Sequence, residues 1–342
     1  MSQRAAALIA LFGFAVLVIG AWLTGGNLGL ADSKPARISF QIATGSTEGI
    51  YFPVGQAIAG LISHPSGVGR CETATVCGPA GVILSARTSE GAADNLRIVS
   101  QGQVDSGLAQ GNVIAAAVAG RDIFRRPVRH LAVIAALFPE EAHLLAADQS
   151  RIHTVADLRG KRVALGEEGS GAAVTGRAIL SAYGLAGRVR IVPAGGESGA
   201  QLLQEGKADA WFTVSGVPLD PVKDLLARHQ ARLIPIDGEG RDRLVRKTPQ
   251  LKPAVIAAGA YPGAGAVETV STRAFWVTRD SEPDALIYGI TRSLFNPVNH
   301  APLAASHASA REIALDHAAE DAPAPIHPGA ARFYREVGKL PE

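Results

Sequence analysis

The chain has little cysteine, little aromatic character and no strongly charged tract, and each shortage closes a door. Only Cys71 and Cys77 occur among 342 residues, and His64 is the one histidine near them, so a zinc site would lack ligands. No cysteine precedes the expected mature start, which excludes a lipid-anchored lipoprotein. Formal net charge is +2 with no basic stretch interleaved with aromatics, which excludes nucleic acid as a partner. The sequence holds no internal repeat, heptad run or low-complexity tract. It also holds no G-x-S-x-G elbow, G-x-G-x-x-G fingerprint, P-loop or H-E-x-x-H motif, and His300 and His307, the nearest pair of histidines, do not have metal-site spacing. No cofactor and no catalytic residue are therefore expected. Glu140 with Glu141, and Glu167 with Glu168, read as solvated loop charges rather than acid/base pairs.

What is present fits a packed α/β protein: 47% apolar residues and 38 glycines in a chain too long for one comfortable core, so two lobes are expected. Arg4 precedes an apolar run from Ala5 to about Leu23, and Gly29-Leu30-Ala31 has the small residues of a signal-peptidase site. Residues 1–31 read as a signal peptide, with an uncleaved anchor as the alternative because the run approaches the roughly 20 residues that span a bilayer. The globular part is then periplasmic, free or anchored to the inner membrane. In that compartment Cys71 and Cys77, six positions apart, are expected to bridge, two free thiols being the alternative.

The chain is organised by turns rich in glycine and hydroxyl groups, each between a strand end and a helix start. The first is Gly45-Ser46-Thr47-Glu48-Gly49 after the alternating run Ile38, Phe40, Ile42, with Val54, Ile58, Leu61 and Ile62 at helical spacing beyond it. A second strand is read from Arg70 to Val76, and residues 78–93 as an inserted excursion before a helix starting near Asp94. Gln110 ends a strand, with Asn112 as the cap of the next helix. Apolar runs at 130–137 and 143–147 read as two strands joined by Phe138-Pro139-Glu140-Glu141, where the crossing between lobes is placed. Thr154 and Asp157 form a capping arrangement, and Ser170-Gly171 opens a helix after Glu167-Glu168-Gly169. Further turns are Gly195-Gly196-Glu197-Ser198 and Ser215-Gly216-Val217-Pro218, the latter leading to Asp220 and Pro221 at a helix start.

Gly45-Ser46-Thr47-Glu48-Gly49-Ile50-Tyr51-Phe52-Pro53-Val54-Gly55 resembles the G-G-T-G-G-T-Y-Y-P-x-G signature of the TAXI family, the solute-binding receptors of TRAP transporters. Ser46 and Glu48 stand where the signature has glycines, and Ile50 where it has threonine. Ala109-Gln110, Ala260-Tyr261-Pro262-Gly263 and Ile326-His327-Pro328-Gly329-Ala330 resemble further family segments. The resemblance implies a two-lobe periplasmic-binding-protein-like α/β fold, a ligand cleft between the lobes, and a TRAP membrane permease as partner.

Lobe one is expected from residues 36–135 with 264–342, and lobe two from 136–263. Ser46, Thr47, Glu48, Gly49, Tyr51, Gln110, Ser170, Gly171, Ser215 and Tyr261 are the expected ligand-binding residues. The expected ligand is a small carboxylate, held by hydroxyls and helix N-termini because no arginine lies in those turns. Glu48 favours an amino acid such as glutamate over a simple dicarboxylate. The alternatives are a membrane-anchored ligand sensor and an enzyme on a similar fold.

Overall fold

The computed structural model describes residues 37–65, 71 and 76–342. The leader segment and most of the strand expected from Arg70 lie outside these residues. Elements follow in the order β1 (Ile38–Ala43), α1 (Tyr51–Ile62), β2 (Val82–Arg87), α2 (Ala92–Ser100), β3 (Ser106–Gln110), α3 (Gly111–Ala119), β4 (Leu131–Ala147), β5 (Arg162–Ala164), α4 (Gly171–Ala182), β6 (Arg190–Val192) and α5 (Gly196–Gln204). Then come β7 (Ala210–Ser215), α6 (Asp220–Ala227), β8 (Ala231–Leu233), α7 (Gly238–Lys247), β9 (Lys252–Ile256), β10 (Val267–Arg279), α8 (Asp284–Leu294), α9 (Pro297–Ser306) and α10 (Pro328–Glu336). Among the described residues no helix is long and apolar enough to cross a membrane.

The ten strands form one mixed sheet in the order β2-β1-β3-β10-β4-β7-β5-β6, with β8 on β4 and β9 on β10. β1 pairs in parallel with β2 and β3, and β5 with β6 and β7. The two parallel groups are joined by β4 and β10, which run antiparallel to each other and to β7 and β3 respectively. Alternating parallel strands and helices explain the layering: each strand's apolar face needs a helix to cover it. Two buried clusters draw on β1, β3, α1–α3, α8 and α10, among them Phe40, Ile58, Trp276 and Tyr334 in one and Leu96, Val113 and Phe275 in the other. Two others draw on the segment from β4 to β10, including Phe212, Ile236 and Leu244 in one and Trp211, Val222 and Tyr261 in the other.

Three expectations change. Residues 78–93 are no excursion: they contain β2, which matches β1 residue for residue from Ile38 opposite Val82 to Ala43 opposite Arg87. The two apolar runs around Pro139 are one 17-residue strand, β4. Pro139 has no N–H to give, and the pairing of β4 with β10 shifts register just beyond it, between Arg273 and Phe275, so the sheet accommodates the proline at an irregularity. Asn112 is the second residue of α3 rather than its cap, the N-cap position being Gln110. Cys71 and Cys77 are joined by a disulfide.

Candidate functional site

Every parallel strand ends in a turn that opens a helix, and these turns face one cleft of about 370 Å³. It is lined after β1 by Thr44–Tyr51 residues including Ser46, Glu48 and Gly49, and after β2 by Ser89, Glu90 and Gly91. Gln110 closes β3, Gly166, Glu167, Ser170 and Gly171 follow β5, and Gly195, Gly196 and Ser198 follow β6. Thr213, Ser215, Leu219 and Pro221 complete the wall at β7 and α6. The carboxyl ends of strands in an open α/β sheet are where such folds bind ligands, because backbone N–H groups at the following helix starts are unpaired there. The N-terminal turns of α1, α2, α4, α5 and α6 all contribute to this wall, and α3 does so through its N-cap, Gln110.

Local chemistry builds each turn. Ser170 caps α4, its Oγ accepting from Ala173 N at 3.1 Å. Thr44, fully buried, donates from Oγ1 to the Arg87 carbonyl at 2.6 Å, and Asn95 Nδ2 donates to the carbonyls of Thr44 and Leu108, at 2.7 Å each. These bonds tie the ends of β1, β2 and β3 into one rigid ledge. Across the cleft, the Gly169 carbonyl accepts from Ala93 N at 3.1 Å, so the start of α2 is capped by the loop that precedes α4. Gly171 is required by close approach: a Cβ there would lie 1.9 Å from Gln110 Oε1.

The floor is Glu140, which the sequence did not offer as a site residue. It sits mid-way along β4 and is 2% exposed, so the reading of Glu140 as a solvated loop charge is overturned. Tyr51 Oη donates to its Oε2 at 2.6 Å, and Gln110 Nε2 reaches its Oε1 at 3.4 Å. Burial pushes the carboxyl up to about 8, the two hydrogen bonds pulling the other way and the neighbouring Glu141 adding to the rise. Burial also raises Glu141, to about 7. Glu141 is therefore no freely solvated charge either. Glu167 does remain exposed, at the rim.

Of the expected ligand-binding residues, the structure brings Ser46, Glu48, Gly49, Tyr51, Gln110, Ser170, Gly171 and Ser215 to the cleft. Thr47 is exposed outside its lining. Tyr261 stands behind the wall: its hydroxyl donates to His143 Nε2 at 2.8 Å and accepts from Leu219 N at 3.0 Å. Burial lowers His143 to about 4, so the ring is neutral, and Nδ1–H donates to the Glu141 carbonyl at 2.9 Å. Tyr261 thus positions Leu219, a lining residue, instead of meeting a ligand. Thr213 and the Gly195-to-Ser198 turn were missed although the turn's pattern repeats that of the others. For Glu140 the available signal was an ionisable pair interrupting a long apolar run. Among the described residues no group of His, Cys, Asp or Glu is placed to hold a metal ion.

Residues 42–338 match the NMT1-like family. Among solved structures, the chain is similar to a binding protein component of an ABC phosphonate transporter from Pseudomonas aeruginosa, at 11% identity over 84% of this chain and 83% of that one, with a TM-score of 0.51. It is also similar to MatC from Rhodopseudomonas palustris with bound malate, at 15% identity, 89% and 98% coverage and a TM-score of 0.51. XAC2383 from Xanthomonas citri, bound to ATP, matches at 12% identity, 87% and 95% coverage and a TM-score of 0.50. At such identities the likeness establishes a shared fold, the two-lobe α/β fold of periplasmic-binding-protein-like chains.

Proposed function

The chain belongs to the NMT1-like family, and we propose that it is the extracytoplasmic solute-binding receptor of a TRAP-type secondary transporter. The observation that carries this reading is the convergence of the strand ends, with their helix starts, on a single cleft lined by glycines, hydroxyls and helix N-termini. Such a wall binds a small solute by backbone N–H groups and hydroxyls. The division into lobes at 36–135 with 264–342 and at 136–263 is part of the proposal, supported by hydrophobic clusters that draw mainly on one range or the other. The solute is a small carboxylate that also bears an ammonium group, the amino acid class to which glutamate belongs. Its carboxylate lies against helix starts and its ammonium against the acidic side chains of the lining.

The receptor works in the periplasm and hands its solute to a TRAP membrane permease, the partner that resemblance to TAXI receptors implies. An ion gradient supplies the driving force. Reconstituted vesicles carrying that permease test the reading: receptor-dependent uptake should collapse with ionophores and ignore ATP. Uptake that needs ATP and survives ionophores would move the protein to another transporter class, and conversion of solute to product at more than one equivalent per protein would make it an enzyme.

A further inference from the structure

The cleft lining contains four glutamates, Glu48, Glu90, Glu140 and Glu167, and no lysine, arginine or histidine. Three of these lie exposed at the rim, and acidic rims alone identify nothing. The floor adds an independent observation. Gln110 is 5% exposed, its Nε2 is engaged with Glu140, and its Oε1 is buried with no hydrogen-bond partner. A desolvated acceptor left unmet is costly, and this one lies between two residues of the cleft lining, Gln110 itself and Gly171. Glu140, also in the lining, is unevenly engaged: Oε2 is taken by the Tyr51 hydroxyl, while Oε1 has only the long 3.4 Å contact from Gln110. The floor therefore offers acceptors, and a solute that fits it brings donors.

We propose that the solute presents a protonated nitrogen to Gln110 Oε1 and Glu140 Oε1, so that the ligand is a basic amino acid, not an acidic amino acid or a dicarboxylate. This rests on the receptor reading above and narrows it. An ammonium has three donors and no acceptor, which matches this floor. Glutamate would bring a second carboxylate among carboxylates with no counter-cation in the wall. The rim glutamates draw a cation inward, Glu48 above all, because its Oε2 reaches to about 4.0 Å from the position a Cβ on Gly196 would take, beside the start of α5.

Amine binding has a measurable by-product. Empty, Glu140 holds a proton near neutral pH, since burial raises it to about 8. The groups facing it are Tyr51 from α1, Gln110 from β3, Glu141 beside it in β4 and Thr272 opposite it in β10, none of them a cation. An ammonium at Oε1 favours the carboxylate, so binding at pH 7 expels a proton, and affinity rises by up to about tenfold per pH unit towards pH 8. A carboxylate solute would give the opposite slope.

Titration calorimetry on the exported protein tests this with L-ornithine, L-lysine and putrescine against L-glutamate and succinate, at pH 6.5 and 8 in buffers of different ionisation enthalpy. L-ornithine or L-lysine should bind with net proton release, with glutamate and succinate weaker by about a hundredfold. Glu140→Gln should lose the proton release and about tenfold or more in amine affinity while keeping its melting temperature at pH 6. Tighter binding of glutamate or succinate than of L-ornithine and L-lysine, no binding of either basic amino acid, or proton release unchanged in Glu140→Gln each overturns the proposal. Small-angle scattering separates the two claims: contraction on glutamate or succinate leaves a receptor whose ligand class was misjudged, whereas turnover of a probe removes the receptor reading itself.

Discussion

Glu140 sets the pH response of the empty protein. Its folded value of about 8, and that of Glu141 at about 7, lie above the usual glutamate range near 4.3, so the native state holds both protons more tightly than the unfolded chain. Their contribution to stability is complete below about pH 4 and is lost as pH rises through 7 and 8. His143 acts in the other direction: lowered to about 4, it contributes above its unfolded value near 6.5 and loses that contribution as pH falls towards 4. Between pH 6.5 and 8 only the glutamates count among these three, and the melting temperature should fall, with a slope of at most about 1.4 kcal/mol per pH unit from each. Glu140→Gln should remove its share of that slope. Scanning calorimetry across this range checks it, and a curve that stays flat or rises would mean that the carboxyls are hydrated. Cys71 and Cys77 carry a separate expectation: exported protein, denatured without reductant, should yield no alkylatable thiol, and reduction should cost about 2 kcal/mol, the lower part of the usual range, because the closed loop is short.

At the scale of elements, the helix-opening turns carry most of what the sequence discloses. Ser170 illustrates it: strand end, glycines, hydroxyl and helical period all fall within about a dozen residues, and the cap they imply is present, with Oγ accepting from Ala173 N. Ser170→Ala should destabilise by about 1 kcal/mol, measurable by denaturant titration, and no change in midpoint would show the cap to be idle. The same local logic leads from Ser46, Gln110 and Ser215 to one cleft. What it misses is set by partners far along the chain. Glu140 is buried because β10 lies beside it, with Thr272 opposite, and no local pattern announces a pairing over that distance. Tyr261 fails as a ligand residue for a related reason: its hydroxyl is spent on Leu219 and His143, which only the folded sheet brings to it. β2 was hidden in residues 78–93 because glycines and a proline around it mimic a loop, while its register with β1 comes from tertiary pairing.

For the whole molecule the decisive contact is the one across the cleft. β4 and β10 are the strands that join the two parallel groups of the sheet, so a hinge motion must pass through them. The structure has the walls in contact: the Gly169 carbonyl accepts from the start of α2, and Gly171 lies against Gln110 so closely that a Cβ would fall 1.9 Å from Oε1 and 2.5 Å from Cδ. Gln110 cannot easily retreat, since its side chain is buried and engaged with Glu140. A methyl at 171 should therefore keep the walls apart instead of distorting either one, at little cost to the empty protein. Gly171→Ala is expected to bind at least about tenfold more weakly whichever of the five probe solutes the wild type binds most tightly, and to contract less on adding it, by small-angle scattering. Shortening the other partner should restore the motion: in Gly171→Ala combined with Gln110→Ala the methyl has room, so contraction should return even though the Gln110 contact to solute is lost. A Gly171→Ala protein that contracts like the wild type would mean that Gly171 and Gln110 do not meet in the solute-bound state.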